Sequence, residues 1–227
     1  MKLFLCGGGC GDQTTLANNK FGKYLDKSKP ILYIPLAMEE KMYKGCKEWF
    51  SGEVKNFGYD KFEMVKSSKE LSEKDFNNYS ALFIGGGNTF KLLAEIKQNG
   101  NYEKIVEYLK NDGIIFGGSA GAIIFGKDIN TCLVDDGNLV NLENTKGFNF
   151  LNDFSILCHL KNNSFEKNLH HLCKCSVGNK IIYLAEESVI YIHDDKISLL
   201  GDNKYVIFKD GKYAVHRPSN FKKDIFE

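Results

Sequence analysis

The chain has 227 residues, of which 43% are hydrophobic and 26% charged, with a formal net charge of +1. This length suits one large domain with a sizeable core. The balanced charge provides no basic patch for nucleic acid and no electrostatic reason to bind an anionic membrane. We therefore predict a single domain over residues 1–227 with neither kind of partner.

Short apolar runs alternate with longer amphipathic segments in the first half of the chain. Strands are predicted at residues 3–6, 31–34, 62–65, 81–84 and 113–116. Helices are predicted between them, around residues 14–25, 41–56, 73–78 and 90–109, the last with a break near Gly100. Most strand runs lack polar alternation, which is typical of strands covered on both faces. The pattern predicts an α/β fold with a doubly wound, mostly parallel sheet flanked by helices.

The second half of the chain has a different texture. Residues 131–154 are polar and irregular, and they precede a predicted strand at 155–158 and a predicted helix at 165–175. Short apolar runs at 181–185, 189–193, 197–199, 205–208 and 213–215 are separated by turns rich in Asp and Gly. These are hairpin signals, so we expect an antiparallel addition at one sheet edge near the C-terminus.

The most specific local feature is the run Gly117-Gly118-Ser119-Ala120-Gly121, which lies between two apolar segments. A strand, a glycine-flanked serine and a helix start describe a nucleophile elbow. Glycines allow a sharp turn, and the new helix directs its free N–H groups at whatever the serine attacks. The alternative is a glycine-rich turn that merely carries a serine. We predict that Ser119 is a catalytic nucleophile.

A serine hydroxyl needs a base, usually histidine, to take its proton. His159 follows the predicted strand at 155–158, and active sites in open α/β sheets lie where strands end. His170 and His171 fall in a helical segment, and His193 and His216 fall in the hairpin tail. We therefore predict that His159 is the base.

The third member of such a site is normally a carboxylate that orients the imidazole. Glu186 and Glu187 end the predicted strand at 181–185, while Asp135 and Asp136 are nearer the elbow in sequence. Acidic pairs at turns are commonly only solvated, so the residues alone leave this choice open.

A second glycine run could supply donors for a developing oxyanion. Gly85-Gly86-Gly87 ends a predicted strand and opens a helix, and it lacks the Lys-Ser/Thr pair of a phosphate-binding loop. The amides of Gly86, Gly87 and Ala120 are the predicted oxyanion donors. Asn88 and Thr89, which follow the glycines, are candidate substrate-binding residues.

Together the motifs resemble the peptidase E (aspartyl dipeptidase) family of serine peptidases, which also includes cyanophycinase. The segments that carry the likeness are Ile84-Gly85-Gly86-Gly87-Asn88-Thr89-Phe90 and Gly117-Gly118-Ser119-Ala120-Gly121-Ala122. The likeness extends from the first strand to the Glu186 region and is weakest in the hairpin tail. It implies a class I glutamine amidotransferase-like, flavodoxin-like fold. It also implies an enzyme that hydrolyses short peptides without metal or cofactor.

The resemblance also implies a Ser-His-Glu triad. Ser119 matches the family's nucleophile, His159 its base and Glu186 its acid, with Glu187 one step away. Gly86 and Gly87 match the oxyanion loop. A small peptide is the expected partner, bound by a monomer or homodimer.

One departure concerns substrate choice. Aspartyl dipeptidases select an acidic amino-terminal residue, for which a bidentate arginine is the obvious partner. Arg217 is the only arginine and lies in the poorly matching tail. The alternatives are a cyanophycinase-like exopeptidase acting on β-linked aspartyl peptides and a catalytically silent peptide-binding homologue. A glutamine amidotransferase is disfavoured because its elbow needs a thiolate.

None of the seven cysteines is predicted to be catalytic. Their odd number and scattered spacing favour reduced thiols in a cytoplasmic protein, and no signal peptide or membrane-spanning run is evident. The segment 170–175 contains metal-ligand residue types, but on a helix they fan around the axis, so no metal site is predicted. Residues 7–11 are expected at the rim of the cleft. Cys10 and Cys158 are expected to be rim or buried thiols rather than nucleophiles.

Overall fold

The computed structural model of the chain describes residues 1–194 and 196–221. Asp195 and residues 222–227 of the predicted domain lie outside the described residues. Strands run at β1 (Lys2–Cys6), β2 (Ile31–Ile34), β3 (Phe62–Met64), β4 (Ala81–Ile84), β5 (Ile114–Gly118), β6 (Phe154–Leu157), β7 (Lys180–Tyr183), β8 (Val189–His193), β9 (Lys196–Leu200), β10 (Tyr205–Lys209) and β11 (Lys212–His216). Helices run at α1 (Thr15–Gly22), α2 (Tyr43–Asn56), α3 (Ser68–Glu73), α4 (Thr89–Ile96), α5 (Asn101–Lys110), α6 (Ala120–Ile123) and α7 (Asn162–Cys175).

The main sheet has the order β3-β2-β4-β5-β1-β8-β9. Strands β3 to β1 in that order are parallel, and β8 and β9 continue the sheet as an antiparallel hairpin. β2 and β4 are buried along their whole length because helices cover both faces. The predicted doubly wound, mostly parallel sheet with an antiparallel edge is confirmed.

The two faces of this sheet pack differently. One face holds an aromatic cluster in which Phe83 and Phe116 stack with ring centroids 5.1 Å apart. The other face packs mainly aliphatic side chains from α4, α5 and α6, including Leu93, Ile105 and Ile123. Burial of apolar surface on both faces fixes the strands, and with them the loops at their carboxyl ends.

A second sheet, with the order β11-β10-β7-β6, was not anticipated from the sequence. β6 and β7 are parallel and are joined by α7, while β7, β10 and β11 are antiparallel. The hairpin turns were predicted, but turn chemistry specifies only which strands are adjacent in the chain. Whether a hairpin extends the main sheet, as β8–β9 does, or another sheet, as β10–β11 does, depends on tertiary packing.

Several helix boundaries differ from the predictions. The predicted helix at 73–78 is instead α3, capped by the Ser67 hydroxyl accepting from the Glu70 N–H, and a separate 3-10 turn at Phe76–Asn78. The helix after the elbow is a single turn. The break near Gly100 is confirmed, since Gly100 has φ 72° and precedes α5. None of the helices in the described ranges is long and apolar enough to span a bilayer.

Candidate active site

Ser119 lies at the carboxyl end of β5, at the start of α6. Its backbone has φ 51° and ψ −113°, a sparsely populated conformation for a residue with a side chain. The Ser119 N–H donates to the Cys6 carbonyl oxygen at 3.0 Å, which ties the turn to the end of the neighbouring strand β1. The strained turn projects the hydroxyl away from the sheet, as expected for a nucleophile elbow.

The glycines of the elbow have a different purpose from the one predicted. None of Gly117, Gly118 and Gly121 has a positive φ, so the unusual backbone angles belong to Ser119 itself. A Cβ on Gly117 would lie 2.2 Å from the Gly121 carbonyl oxygen, and a Cβ on Gly121 would lie 2.2 Å from the Ile84 carbonyl oxygen. Gly117 and Gly121 are therefore needed because backbones approach closely here.

His159 faces the serine. Its Nε2 lies 2.7 Å from Ser119 Oγ, a hydrogen-bonding distance. The residue follows β6 with φ 63°, and its N–H donates to the Gly7 carbonyl oxygen at 2.9 Å. Its strand belongs to the second sheet, so the site forms where the carboxyl ends of strands from both sheets meet. A Cβ on Gly8 would lie 2.7 Å from the imidazole ring, which explains a glycine at that position.

Of the two adjacent glutamates, only Glu186 reaches the imidazole. Its Oε1 lies 3.1 Å from His159 Nδ1, while the carboxylate of Glu187 accepts from Asn203 Nδ2 at 2.8 Å. Glu186 follows β7, the parallel neighbour of β6, so the ends of the two strands bring His159 and Glu186 to one edge. The order Ser119, His159, Glu186 in the chain becomes a continuous hydrogen-bonded series in space.

Lys161 is a member of this cluster that the sequence analysis did not single out. Its Nζ lies 2.8 Å from Glu186 Oε1, the oxygen that also faces His159. The hydrogen bond from Lys161, followed by the one from His159, lowers the pKa of Glu186 below its ordinary value. Glu186 is therefore ionised at neutral pH, as a residue that stabilises an imidazolium must be. The sequence offered one indication of this role, because Lys161 lies only two residues after His159.

Asp135 and Asp136, the competing acids, lie elsewhere. Asp136 accepts from the Thr89 N–H at 2.8 Å and from the Thr89 hydroxyl at 2.6 Å, and Asp135 is exposed. Neither carboxylate is hydrogen-bonded to His159 within the described residues. The same hydrogen bonds account for the full burial of Thr89, the first residue of α4, and they join the segment that carries Asp136 to this helix.

Asn88 caps α4 by accepting from the Lys91 N–H at 2.9 Å and also donates to the Gly137 carbonyl oxygen.

The contacts of Asn88 and Thr89 bear on their predicted role in substrate binding. Both side chains are engaged by the protein, and the Thr89 hydroxyl has no access to the cleft because the residue is fully buried. The geometry assigns the pair to anchoring the glycine loop.

Two of the predicted oxyanion donors lie beside Ser119, since Ala120 follows it directly in the chain and Gly86 approaches its side chain. A Cβ on Gly86 would lie 3.1 Å from Ser119 Cβ and 3.6 Å from its Oγ, so this loop passes directly beside the hydroxyl. The N–H groups of Gly86, Gly87 and Ala120 donate to no acceptor among residues 1–194 and 196–221. Unpaired amides beside a serine hydroxyl are free to bind an oxygen of a ligand.

A cleft of about 200 Å³ opens beside Ser119 and His159. Its wall includes the glycines at 8, 9, 86 and 118 and the side chains of Trp49, Glu53, Phe83 and Phe116. The glycine loop after β1 lines it, as predicted for the rim. Glu53 was missed by the sequence analysis, although a glutamate on the apolar stripe of α2, beside Phe50 and Val54, was a usable signal.

The remaining candidates lie away from this cleft. His171 bonds the Asn130 carbonyl oxygen, and His216 stacks on Tyr205, so both have packing roles. Arg217 is not part of the cleft wall. No group of three or more metal-ligating side chains occurs in the part of the chain that the structure describes.

The thiols near the site are poorly suited to act as nucleophiles. Cys6 and Cys158 are buried, and burial raises the pKa of the Cys6 thiol to about 12 and that of Cys158 well above its ordinary value. Cys10 is exposed and lies outside the cleft wall. Neither class of cysteine sits on an elbow.

Residues 3–200 match the model of peptidase family S51. The chain belongs to this family. Family membership, together with the Ser119–His159 pair, supports a serine peptidase.

A curated relative and two solved structures are similar to this chain. Uncharacterized peptidase Lmo0363 of Listeria monocytogenes serovar 1/2a is 33% identical over 116 residues, 50% of this chain and 54% of the relative. The chain thus spans about half the length of the curated relative that it matches. A crystal structure of a protein assigned to peptidase E in L. monocytogenes EGD-e has a TM-score of 0.71 at 24% identity, covering 88% of this chain and 97% of that one.

The second structure is a peptidase from an acI-B1 Actinobacterium, with a TM-score of 0.68 at 18% identity over 95% of this chain and 93% of that chain. At these identities the likeness shows the fold. It agrees with the predicted flavodoxin-like, amidotransferase-like architecture and with the predicted resemblance to peptidase E.

Proposed function

We propose that this S51 family member hydrolyses short peptides with the catalytic chemistry of dipeptidase E, through an acyl-enzyme on Ser119, but with a different preference for the amino-terminal residue. The observation that carries the proposal is the 2.7 Å contact between Ser119 Oγ and His159 Nε2 at a strained elbow. Strain at a buried turn is retained where function requires it, and a serine paired with an oriented imidazole is the arrangement of serine hydrolases. Glu186 supplies the orienting carboxylate.

The first half of the reaction forms the acyl-enzyme. The Ser119 hydroxyl transfers its proton to His159 Nε2 as Oγ attacks the carbonyl carbon of the scissile bond. The negative charge that develops on the carbonyl oxygen is stabilised by the free N–H groups of Gly86 and Ala120. Glu186 stabilises the imidazolium through Nδ1. His159 then gives its proton to the leaving amine, the C–N bond breaks, and an ester to Ser119 remains.

The second half regenerates the enzyme. A water molecule gives a proton to His159 Nε2 and attacks the ester carbonyl, with the oxyanion again held by the same amides. Collapse of this intermediate breaks the ester bond, returns the proton to Ser119 Oγ and releases the carboxylic acid product.

The size of the cleft supports short substrates. Its volume of about 200 Å³ is below the roughly 300–1,000 Å³ of pockets for drug-sized ligands, so it has room for little more than one residue. An acidic side chain is a poor occupant, because the cleft wall carries the Glu53 carboxylate and, among the described residues, no lysine or arginine. We therefore propose removal of a single non-acidic amino-terminal residue.

A substrate panel tests this proposal. The panel contains Ala-, Lys-, Leu- and Asp-initiated dipeptides, a β-aspartyl dipeptide and amino-acetylated versions of each, with release of free amino acid measured by chromatography. We expect turnover of non-acidic free dipeptides and none by the Ser119→Ala variant. Preferred cleavage of the β-aspartyl peptide would instead indicate a cyanophycinase-like activity, and equal turnover by Ser119→Ala would contradict the mechanism.

A further inference from the structure

Glu53 places a carboxylate in the wall of the cleft that holds Ser119. The residue lies near the end of α2, and only 8% of its surface is exposed. It shares the cleft with Ser119, His159 and Trp49. Glutamate is rarely buried to this degree unless its charge is paired.

The donors that contact the Glu53 carboxylate in the described part of the chain carry no charge. Its oxygens accept from the Gly11 N–H at 3.1 and 3.3 Å and from Asn56 Nδ2 at 3.0 Å, all neutral donors. Within residues 1–194 and 196–221 it forms no ion pair. Burial raises its pKa above the ordinary value, which reflects the cost of holding an unpaired carboxylate there. A bound cation would remove that cost.

The rest of the cleft is also suited to a cation. Trp49, Phe83 and Phe116 contribute aromatic surface, and a positive charge is attracted to the faces of such rings, most strongly to tryptophan. Among the residues that the structure describes, His159 is the only basic side chain in this wall, and it is engaged by Ser119 and Glu186.

The geometry points to Glu53 as a specificity residue that binds a positively charged nitrogen group of the substrate residue on the acyl side of the scissile bond. The inference rests on the proposed function, because it takes the cleft beside Ser119 as the acyl-side subsite. The group is the α-ammonium of an amino-terminal residue or the ammonium or guanidinium of a basic side chain. Both present the same chemistry to the carboxylate.

A purely structural role for Glu53 makes a different prediction. If the carboxylate serves only to accept from the Gly11 N–H and from Asn56 Nδ2, which both reach Oε2, then glutamine, whose amide oxygen can take that position, performs the same task. Glu53→Gln would then leave ligand preference unchanged. If Glu53 binds a cation, loss of its charge removes the preference while the loop contact is preserved.

Trp49 provides a direct readout, because it is the only tryptophan of the chain and shares the cleft wall with Glu53. The fluorescence of Trp49 is titrated in the Ser119→Ala variant, which binds ligands without turnover. The ligands are lysinamide, norleucinamide and N-acetylnorleucinamide. The first two differ in a side-chain charge, and the last two differ in the α-ammonium.

We expect at least one of these charge differences to change the dissociation constant by about 30-fold or more, as for truncation of a buried charge pair. A gap between lysinamide and norleucinamide identifies the side chain as the source, and a gap between norleucinamide and its acetylated form identifies the α-ammonium. The preference should disappear in Ser119→Ala/Glu53→Gln. It should persist in Ser119→Ala/Glu48→Gln, which removes an exposed charge from the same helix.

Equal binding of the three ligands, no fluorescence change with any of them, or a preference retained by Glu53→Gln would overturn the inference. Urea unfolding of each variant checks that the fold is kept. The proposed function is assessed separately by reaction of Ser119 with a fluorophosphonate. Labelling without a cation preference rejects only the role of Glu53, and a cation preference without labelling rejects only the peptidase mechanism.

Discussion

Lys161 forms an ion pair with Glu186, with Nζ 2.8 Å from Oε1, and so shares that oxygen with His159 Nδ1 at 3.1 Å. Since the Lys161 side chain is 63% exposed, the pair is screened and contributes little to stability. Its consequence is electrostatic, because it lowers the pKa of Glu186 and keeps that carboxylate ionised. A surface lysine thereby supports the charge on which the orientation of His159 depends.

Replacing Lys161 with methionine is expected to raise the pKa of Glu186, because the largest cause of its depression is removed. In the native protein the depressed pKa means that the small stabilisation from the ion pair is fully present above the unfolded-state pKa of Glu186. That stabilisation is lost as the pH falls through the lower folded-state pKa. Carboxyl ¹³C chemical shifts, assigned with Glu186→Gln, report this titration.

Lys167→Met is the matched control for the lysine substitution, because it removes an exposed lysine from α7, the helix that begins directly after Lys161. It should leave the Glu186 titration unchanged. If Lys161→Met also leaves it unchanged, the 2.8 Å contact does not persist in solution.

The neighbouring glutamates allow a paired test of the triad. Glu186→Gln is expected to reduce kcat by about 10⁴-fold, since an amide at this position favours the wrong tautomer of His159. Glu187→Gln changes the same group one residue away, where the side chain bonds Asn203, and should leave kcat within a few-fold of the native value. Steady-state hydrolysis of the preferred dipeptide measures both. Equal losses in the two variants would exclude the assignment of Glu186.

The sequence predicted most of the arrangement around Ser119 because that information is local. An apolar strand, glycines and a serine in direct succession describe an elbow without reference to the rest of the chain. His159 could be placed because it follows a strand, where active sites of such sheets lie. Glu186 was selected only by the family resemblance, since the residues alone left the choice among the acidic candidates open. The structure brings the three side chains within hydrogen-bonding distance, and their catalytic roles stay predictions.

Features that depend on packing between distant segments were not predicted. Glu53 reaches the cleft because α2 packs beside the glycine loop after β1, a contact over 42 residues to Gly11. The second sheet likewise depends on which strand the β10–β11 hairpin pairs with, and local hairpin signals do not determine that partner. The reason for a glycine at position 117 could not be predicted either, because it depends on the position of the Gly121 carbonyl oxygen.

Adjacent glycines in β5 should respond very differently to alanine. A Cβ at Gly117 would meet the Gly121 carbonyl oxygen at 2.2 Å, while a Cβ at Gly118 meets nothing within 4 Å. Gly117→Ala is expected to lower the free energy of unfolding by about 1–3 kcal/mol or more. Gly118→Ala should be neutral or stabilising by up to about 1 kcal/mol. Urea unfolding measures both, and similar values for the two variants would contradict the close backbone contact.

Alanine substitutions of the two aspartates after the elbow, Asp135 and Asp136, should also differ in their effect on the free energy of unfolding. Asp136→Ala leaves the buried N–H and hydroxyl of Thr89 without their acceptor, so we expect a loss of about 1–3 kcal/mol in the free energy of unfolding. Asp135→Ala removes an exposed side chain and should change it by less than about 0.5 kcal/mol. Chemical denaturation of both variants tests the anchoring role, which a larger loss in Asp135→Ala would refute.

In the proposed mechanism, His159 activates Ser119 as a nucleophile. Intact-protein and peptide mass spectrometry after treatment with a fluorophosphonate measures this most directly. We expect a single adduct on Ser119 in the native protein, none in Ser119→Ala, and labelling slowed by orders of magnitude in His159→Ala. An unlabelled native protein, or equal labelling of the native protein and His159→Ala, would contradict it.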